Sequence, residues 1–135
     1  MDIKKILVID DEEKFCKIVK MALEAKGQYS VSTSTRGKEG IALAKAKKPD
    51  LILLDIMMPG MPGAQVAEEL LEDSSLHSVP IIFVTAVISK EEVERNGGFI
   101  GGRNFIAKPV TREELCRRID SLLRLREAEQ NGCAH

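Results

Sequence analysis

Five times along the chain, a short block of strand-forming apolar residues gives way to a stretch with helical periodicity. This alternation constrains the fold more than any other feature. The blocks are Ile6-Leu7-Val8-Ile9, Tyr29 to Thr33, Leu51-Ile52-Leu53-Leu54, Ile81-Ile82-Phe83-Val84 and Asn104-Phe105-Ile106-Ala107. Three of them are uninterrupted, as strands covered on both faces of a parallel sheet are. The second and fifth are mixed and suit positions nearer an edge. Between them, Phe15, Ile18, Val19, Ala22 and Leu23 make one helical stripe, with Gly27 as its stop. Ile41 to Ala46 is a shorter Ala-rich helix, and Val66, Ala67, Leu70 and Leu71 make a third stripe. Ser89 with Glu92, and Thr111 with Glu114, have the spacing of capping boxes that open a fourth and a fifth helix. The fifth buries Leu115, Ile119, Leu122 and Leu123. The fourth offers only Val93 and Ile88, which makes it the least firmly held.

Strand–helix repeats of about 30 residues require right-handed crossovers. The expected architecture is α/β: a doubly wound, five-stranded parallel sheet in the order 2-1-3-4-5, flanked by five helices. Its ligand crevice lies at the carboxyl ends of the first and third strands. A length of 135 residues fits one domain, placed at 1–126, with 127–135 as a polar tail expected to fray. No apolar run approaches the ~18–20 residues of a membrane span, and no signal-peptide pattern opens the chain. The expected location is cytoplasmic. Twenty basic and 21 acidic residues give a net charge of −1, without the basic excess of a nucleic-acid reader. With four Phe, one Tyr and no Trp, a base-stacking surface is hard to build. Cys16, Cys116 and Cys133 show no zinc spacing and read as reduced thiols, and His77 and His135 as surface residues.

Polar residues gather at the expected strand ends. The first strand leads into Asp10-Asp11-Glu12, the third into Asp55, the fourth ends at Thr85, and the fifth leads into Lys108-Pro109. Any one of these is ordinary, since polar residues resume where a strand stops. Four strands delivering them to one rim is not. Asp10, Asp11 and Asp55 would crowd three negative charges into one cleft, where like charges repel or force protonation. An oxygen-only site with room for waters is what Mg²⁺ prefers, with Mn²⁺ an alternative. Such a dication together with Lys108 cancels the three carboxylates.

With these residues in view, the chain resembles a receiver domain of the two-component response regulators over about residues 4–126. The carrying motifs are Ile-Leu-Val-Ile-Asp10-Asp11-Glu12, Leu-Ile-Leu-Leu-Asp55-Ile-Met-Met-Pro59-Gly60, Ile-Ile-Phe-Val-Thr85-Ala86 and Phe105-Ile-Ala-Lys108-Pro109. Each alone is modest, but four in order at receiver spacing are specific. The resemblance implies a flavodoxin-like fold and a Mg²⁺-dependent phosphoacceptor, Asp55. Its donor would be the phosphohistidine of a sensor histidine kinase or phosphotransfer protein, or a small donor such as acetyl phosphate. It further implies that Asp11 and Asp55 bind the metal directly, Asp10 directly or through water, and Met57 through its main-chain carbonyl. Lys108 and Thr85 would contact the phosphoryl oxygens. Phe105 would rotate inward into space vacated by Thr85, remodelling the surface of the fourth helix, fifth strand and fifth helix toward a downstream output protein or domain. A phosphorylation-linked dimer is allowed but not demanded. The Lys108–Pro109 bond would be cis. Met57 and Val87 would flank the path of the hydrolytic water, and being apolar would slow self-dephosphorylation. Such a domain is not an enzyme in the usual sense: it promotes its own phosphorylation and dephosphorylation.

Pro62 and Ala64 depart from the acidic and larger apolar residues common there, and Gly97-Gly98-Phe99-Ile100-Gly101-Gly102 is unusually rich in glycine. Three rival classes fit less well. A haloacid-dehalogenase-like phosphohydrolase needs a second Asp two residues after its nucleophile, where Met57 stands. A pseudo-receiver would have lost part of the set Asp10, Asp11, Asp55, Thr85 and Lys108. A flavodoxin-like electron carrier needs a phosphate-cradling loop where Asp10-Asp11 stand.

Overall fold

The computed structural model describes residues 3–132, with side chains through residue 129. The elements are β1 (Lys4–Ile9), α1 (Glu13–Glu24), β2 (Tyr29–Ser34), α2 (Gly37–Lys47), β3 (Leu51–Leu54), α3 (Gly63–Glu72), β4 (Ile81–Thr85), α4 (Lys90–Arg95), β5 (Phe99–Ile100), β6 (Arg103–Ala107) and α5 (Arg112–Gly132). The sheet order is β2-β1-β3-β4-β6-β5. All pairs are parallel except β5 with β6. The doubly wound order is therefore the expected one, with β6 as the fifth parallel strand, and a two-residue sixth strand is added. That addition corrects the expected count of five. Paired glycines on either side of Phe99-Ile100 let the chain reverse and lay Ile100 against Arg103.

The period-two pattern divides each strand between two cores. Leu7, Ile9, Ile52, Leu54, Phe83 and Phe105 pack with α2, α3 and α4 through Ile41, Ala44, Val66, Leu70 and Val93. Ile6, Val8, Leu51, Leu53, Val84 and Ile106 pack with α1 and α5 through Cys16, Val19, Leu23, Leu115 and Ile119. The fully buried Leu and Ile side chains each contribute ~1.5–3 kcal/mol by leaving water, which is why the strand ends that carry the site are rigidly placed.

Both expected caps form: the Glu92 amide donates to Ser89 Oγ at 3.1 Å, and the Glu114 amide to Thr111 Oγ1 at 3.1 Å. Helix α4 is only six residues long and buries only Val93. Helix α2 starts earlier than its apolar stripe suggests, because Gly37 and Gly40 are buried in its first turns. Helix α5 runs on through Gly132, so 127–132 continue the helix where fraying is expected from sequence. Arg126 Nη1 donates to the Asp50 carbonyl at 3.0 Å, and Glu127 pairs with Lys4 at 2.7 Å, which ties this end to the sheet. Cys133 and His135 lie outside the described residues.

Strand β2 forms one margin of the sheet. Gln28 and Ser34 turn their carbonyls to β1, so the polar groups of Val31 face away from the sheet. Lys20 Nζ donates to the Val31 carbonyl at 2.7 Å, Glu24 accepts from the Val31 amide at 2.9 Å, and the two side chains pair at 3.0 Å.

Candidate functional site

The carboxyl ends of β1, β3, β4 and β6 converge as the sequence requires. The Asp55 amide donates to the Ile9 carbonyl at 2.9 Å, the Asp10 amide to Ser34 at 3.0 Å, and the Lys108 amide to Thr85 at 2.8 Å. The strand ladders thus run into the site itself. Carboxylate oxygens of Asp10, Asp11 and Asp55 lie within 4.8 Å of one another. Asp10 and Asp55 are buried and Asp11 is exposed, so the cluster opens to solvent on the Asp11 side.

Helix α3 sits close against this loop. The Gly63 amide donates to the Ile56 carbonyl at 2.8 Å, and a Cβ at Gly63 would run into the Asp55 carbonyl. Only glycine permits that approach. The Met57 amide donates to Asp55 Oδ1 at 3.3 Å, which leaves Oδ2 for other partners.

Lys108 Nζ lies 2.8 Å from Asp10 Oδ2 and 2.7 Å from Glu12 Oε1, and 4.4 Å from the centre of the Phe15 ring. The sequence pattern marks Phe15 only as a member of the first helical stripe and gives Glu12 no contact with Lys108. Glu12 was visible only as the third member of an acidic run, and its pairing with a residue 96 positions away has no local signal. With Glu12 included, Lys108 faces more negative charge than the expected set contained, and the deficit of positive charge deepens.

Burial raises the pKa of Asp10, with Lys108 and the Glu12 amide pulling the other way. Burial, then the charge of Asp10, pushes Asp55 up to about 6. For Lys108, burial works against the ammonium, but the pairs with Asp10 and Glu12 outweigh it and the pKa is raised. Asp10 Oδ2, although in ion-pair range of Lys108, accepts no well-directed hydrogen bond. A buried carboxylate oxygen short of hydrogen bonds, beside two more carboxylates, fits a hard dication. Asp10, Asp11 and Asp55 are the residues that could hold one.

Thr85 is fully buried, and its Oγ1 accepts from the Val87 amide at 3.1 Å. Met57 and Val87 are exposed, at 63% and 67%. Phe105 is buried and stacked on Phe83 at 5.3 Å between ring centres. Its ring packs inside while Thr85 Oγ1 still accepts from the Val87 amide. Lys108–Pro109 is cis.

An acidic crevice at the switch point of a doubly wound sheet, with carboxylates placed to hold a cation, defines the site, and comparison with known proteins gives the family. The family profile described as the response regulator receiver domain matches residues 6–120, and the chain belongs to that family, which acts in two-component signalling. It is 34% identical over 120 residues to Protein PilH of Pseudomonas aeruginosa, covering 88% of this chain and 97% of that one. It is 36% identical over 125 residues to the alkaline phosphatase synthesis transcriptional regulatory protein PhoP of Bacillus subtilis, covering 92% of this chain and 50% of that one. The chain thus spans about half the length of PhoP. Among solved structures, a CheY-like receiver domain protein from Methanospirillum hungatei superposes with a TM-score of 0.80 at 29% identity, covering 95% of this chain and 99% of that one. Among the described residues, no helix is long and apolar enough to cross a membrane.

Proposed function

We propose that this receiver accepts a phosphoryl group on Asp55 in a Mg²⁺-dependent transfer from the phosphohistidine of a sensor kinase or phosphotransfer protein, or from a small donor such as acetyl phosphate. The observation that carries the reading is the three-carboxylate cluster centred on Asp55 with Lys108 beside it. A carboxylate nucleophile must be ionised. A pKa of about 6 leaves Asp55 mostly so at neutral pH while keeping its oxygen more basic than an exposed one. An Asp55 oxygen forms the bond to phosphorus as the bond to the donor nitrogen or oxygen breaks; imidazole leaves as the neutral ring with its proton already on the other nitrogen, and acetate leaves as the anion. Asp10, Asp11, Asp55 and the Met57 carbonyl would hold Mg²⁺, or Mn²⁺, which neutralises and orients the phosphoryl oxygens when bound. Lys108 supplies a mobile ammonium, shared between Asp10 and Glu12 at rest and able to follow a phosphoryl oxygen.

A group of about −2 on Asp55 would draw the Thr85 hydroxyl away from the Val87 amide. The buried ring of Phe105 is the conformer that inward movement of Thr85 favours, so the signal is a shift in population toward the packed ring. The surface of α4, β6 and α5 would change with it, meeting a downstream output protein or domain, or a second copy. Pro109 fixes the turn after Lys108, and Met57 and Val87 shield the phosphoryl group from water. The functional unit is placed at residues 1–126 with 127–135 as a C-terminal extension, although α5 itself continues past that boundary to Gly132. A cytoplasmic setting suits a kinase-fed domain. The test is incubation with Mg²⁺ and acetyl phosphate followed by intact mass: wild type gains one phosphoryl group and Asp55→Asn gains none. Equal labelling of Asp55→Asn would overturn the assignment.

A further inference from the structure

Arg118 reaches from α5 to the margin where β6 meets β5. Its Nη1 donates to the Phe105 carbonyl at 2.8 Å, and its Nη2 to the Gly98 carbonyl at 3.1 Å. The Phe105 amide donates to that same Gly98 carbonyl at 2.8 Å. Both polar groups of the Phe105 backbone are thereby fixed, one through Gly98 and one by the guanidinium. Gly98 is in turn tied to α4, since its amide donates to the Val93 carbonyl at 2.8 Å. Gly98 sits at φ 81°, and a Cβ there would lie 2.5 Å from Arg118 Nη1. The glycine and the arginine fit each other.

The chemistry of this contact is unusual. Arg118 is half-buried, and burial lowers the pKa of its guanidinium. The charge of Glu114, one turn earlier on α5, partly offsets that burial, as the charge of Arg117 adds to it. A partly desolvated cation is thus committed to two main-chain carbonyls, and the planar fork of arginine suits two acceptors side by side in a way lysine cannot. One of those carbonyls belongs to Phe105. That residue stacks on Phe83 and lies on the strand that leads into Lys108. Any displacement of the strand that accompanies repacking of its ring would move the carbonyl that Arg118 holds.

We infer that Arg118 is a positioning residue that makes α4, β6 and α5 respond together to the state of Phe105, by holding the Phe105 and Gly98 carbonyls in one fork. The inference rests on the phosphoacceptor reading above. A change at Phe105 shifts its carbonyl, Arg118 transmits the shift to Gly98, and Gly98 passes it to the last turn of α4. Without the fork, the glycine-rich stretch 97–102 would be tied to β6 only by its short strand pairing and the Phe105 amide.

The experiment uses the whole chain with Mg²⁺ and beryllofluoride, comparing wild type, Arg118→Met and Arg118→Lys. Fluorine NMR reports beryllofluoride at Asp55, and amide exchange reports the segment from Val93 to Phe105. In wild type, beryllofluoride is expected to change exchange across this segment by about tenfold and to shift the Arg118 guanidinium nitrogen signals. Arg118→Met should still bind beryllofluoride, exchange about tenfold faster at Phe105 in the resting state, and lose the response at residues 97–102. Arg118→Lys, with a single ammonium nitrogen in place of the planar fork, should fall between. A purely structural role would alter resting exchange but leave the response intact, and that result overturns the inference. If Arg118→Met fails to fold, the wild-type guanidinium signals decide: unchanged signals on beryllofluoride binding overturn it. Absence of beryllofluoride binding by wild type would overturn the phosphoacceptor reading, and this inference with it.

Discussion

Neutralising Asp55 should stabilise the metal-free protein, and the size of the effect follows from the site. Asp55 is 6% exposed, and burial together with the Asp10 charge pushes its pKa from 3.8 to about 6. The native state therefore holds this proton more tightly than the unfolded chain does. Below pH 3.8 both states are protonated and the group costs nothing. Between there and pH 6 the unfolded state ionises first, and stability declines as pH rises. Above about 6 the full cost is present, roughly 3 kcal/mol for that gap at ~1.36 kcal/mol per pH unit. Asp55→Asn removes the charge while keeping the shape. In EDTA, urea denaturation of variant and wild type should diverge from near equality around pH 4 to ~2–3 kcal/mol in favour of the variant at pH 7.5. That is on the order of a 10 °C rise in melting temperature for a chain of this size. Added Mg²⁺ should narrow the gap, because wild type alone gains from binding it. A variant no more stable than wild type at pH 7.5, or a difference independent of pH, would refute this account of the site's charge.

Other consequences can be measured alongside. Asp11→Ala should weaken Mg²⁺ binding by roughly tenfold or more, since an exposed member of the cluster is lost without disturbing the buried pair; an unchanged titration would place the metal elsewhere. Met57→Asn or Val87→Glu should speed loss of the phosphoryl group by up to about 10²-fold by supplying a polar anchor for the attacking water, read from a decay course in Mg²⁺; unaltered rates would show that these side chains do not gate water. Gly63→Ala should cost ~1–3 kcal/mol through overpacking and slow labelling of Asp55 by acetyl phosphate, because the added methyl displaces the Asp55 carbonyl; normal labelling would separate that carbonyl from the chemistry.

The parallel sheet and its crevice were legible because burial on both faces leaves pure apolar runs such as Leu51–Leu54, and polar residues resume only where those runs end. Asp10, Asp55, Thr85 and Lys108 were found as strand-end residues for that reason. What stayed hidden depends on contacts distant in sequence. Strand β5 is two residues between glycine pairs, too short for periodicity. The helicity of 127–132 was masked by a polar composition that suits a solvated helix as well as a loose tail. Glu12 looked like one more acid until the fold placed it against Lys108. The packed state of Phe105 rests on Phe83, its partner across the β4–β6 pairing and distant in sequence.

The fastening of Val31 by Lys20 and Glu24 bears on how copies of this protein behave when crowded. An open strand margin is a template: a second chain can add to it, then a third, and the product is a filament. Here the outward amide and carbonyl at the middle of the margin are already engaged by a charged pair from the same molecule. An incoming strand would have to evict both side chains and strand their charges before making its first central bond. Polymerisation through this margin is thereby disfavoured at its first step, and encounters between copies are left to side-chain surfaces.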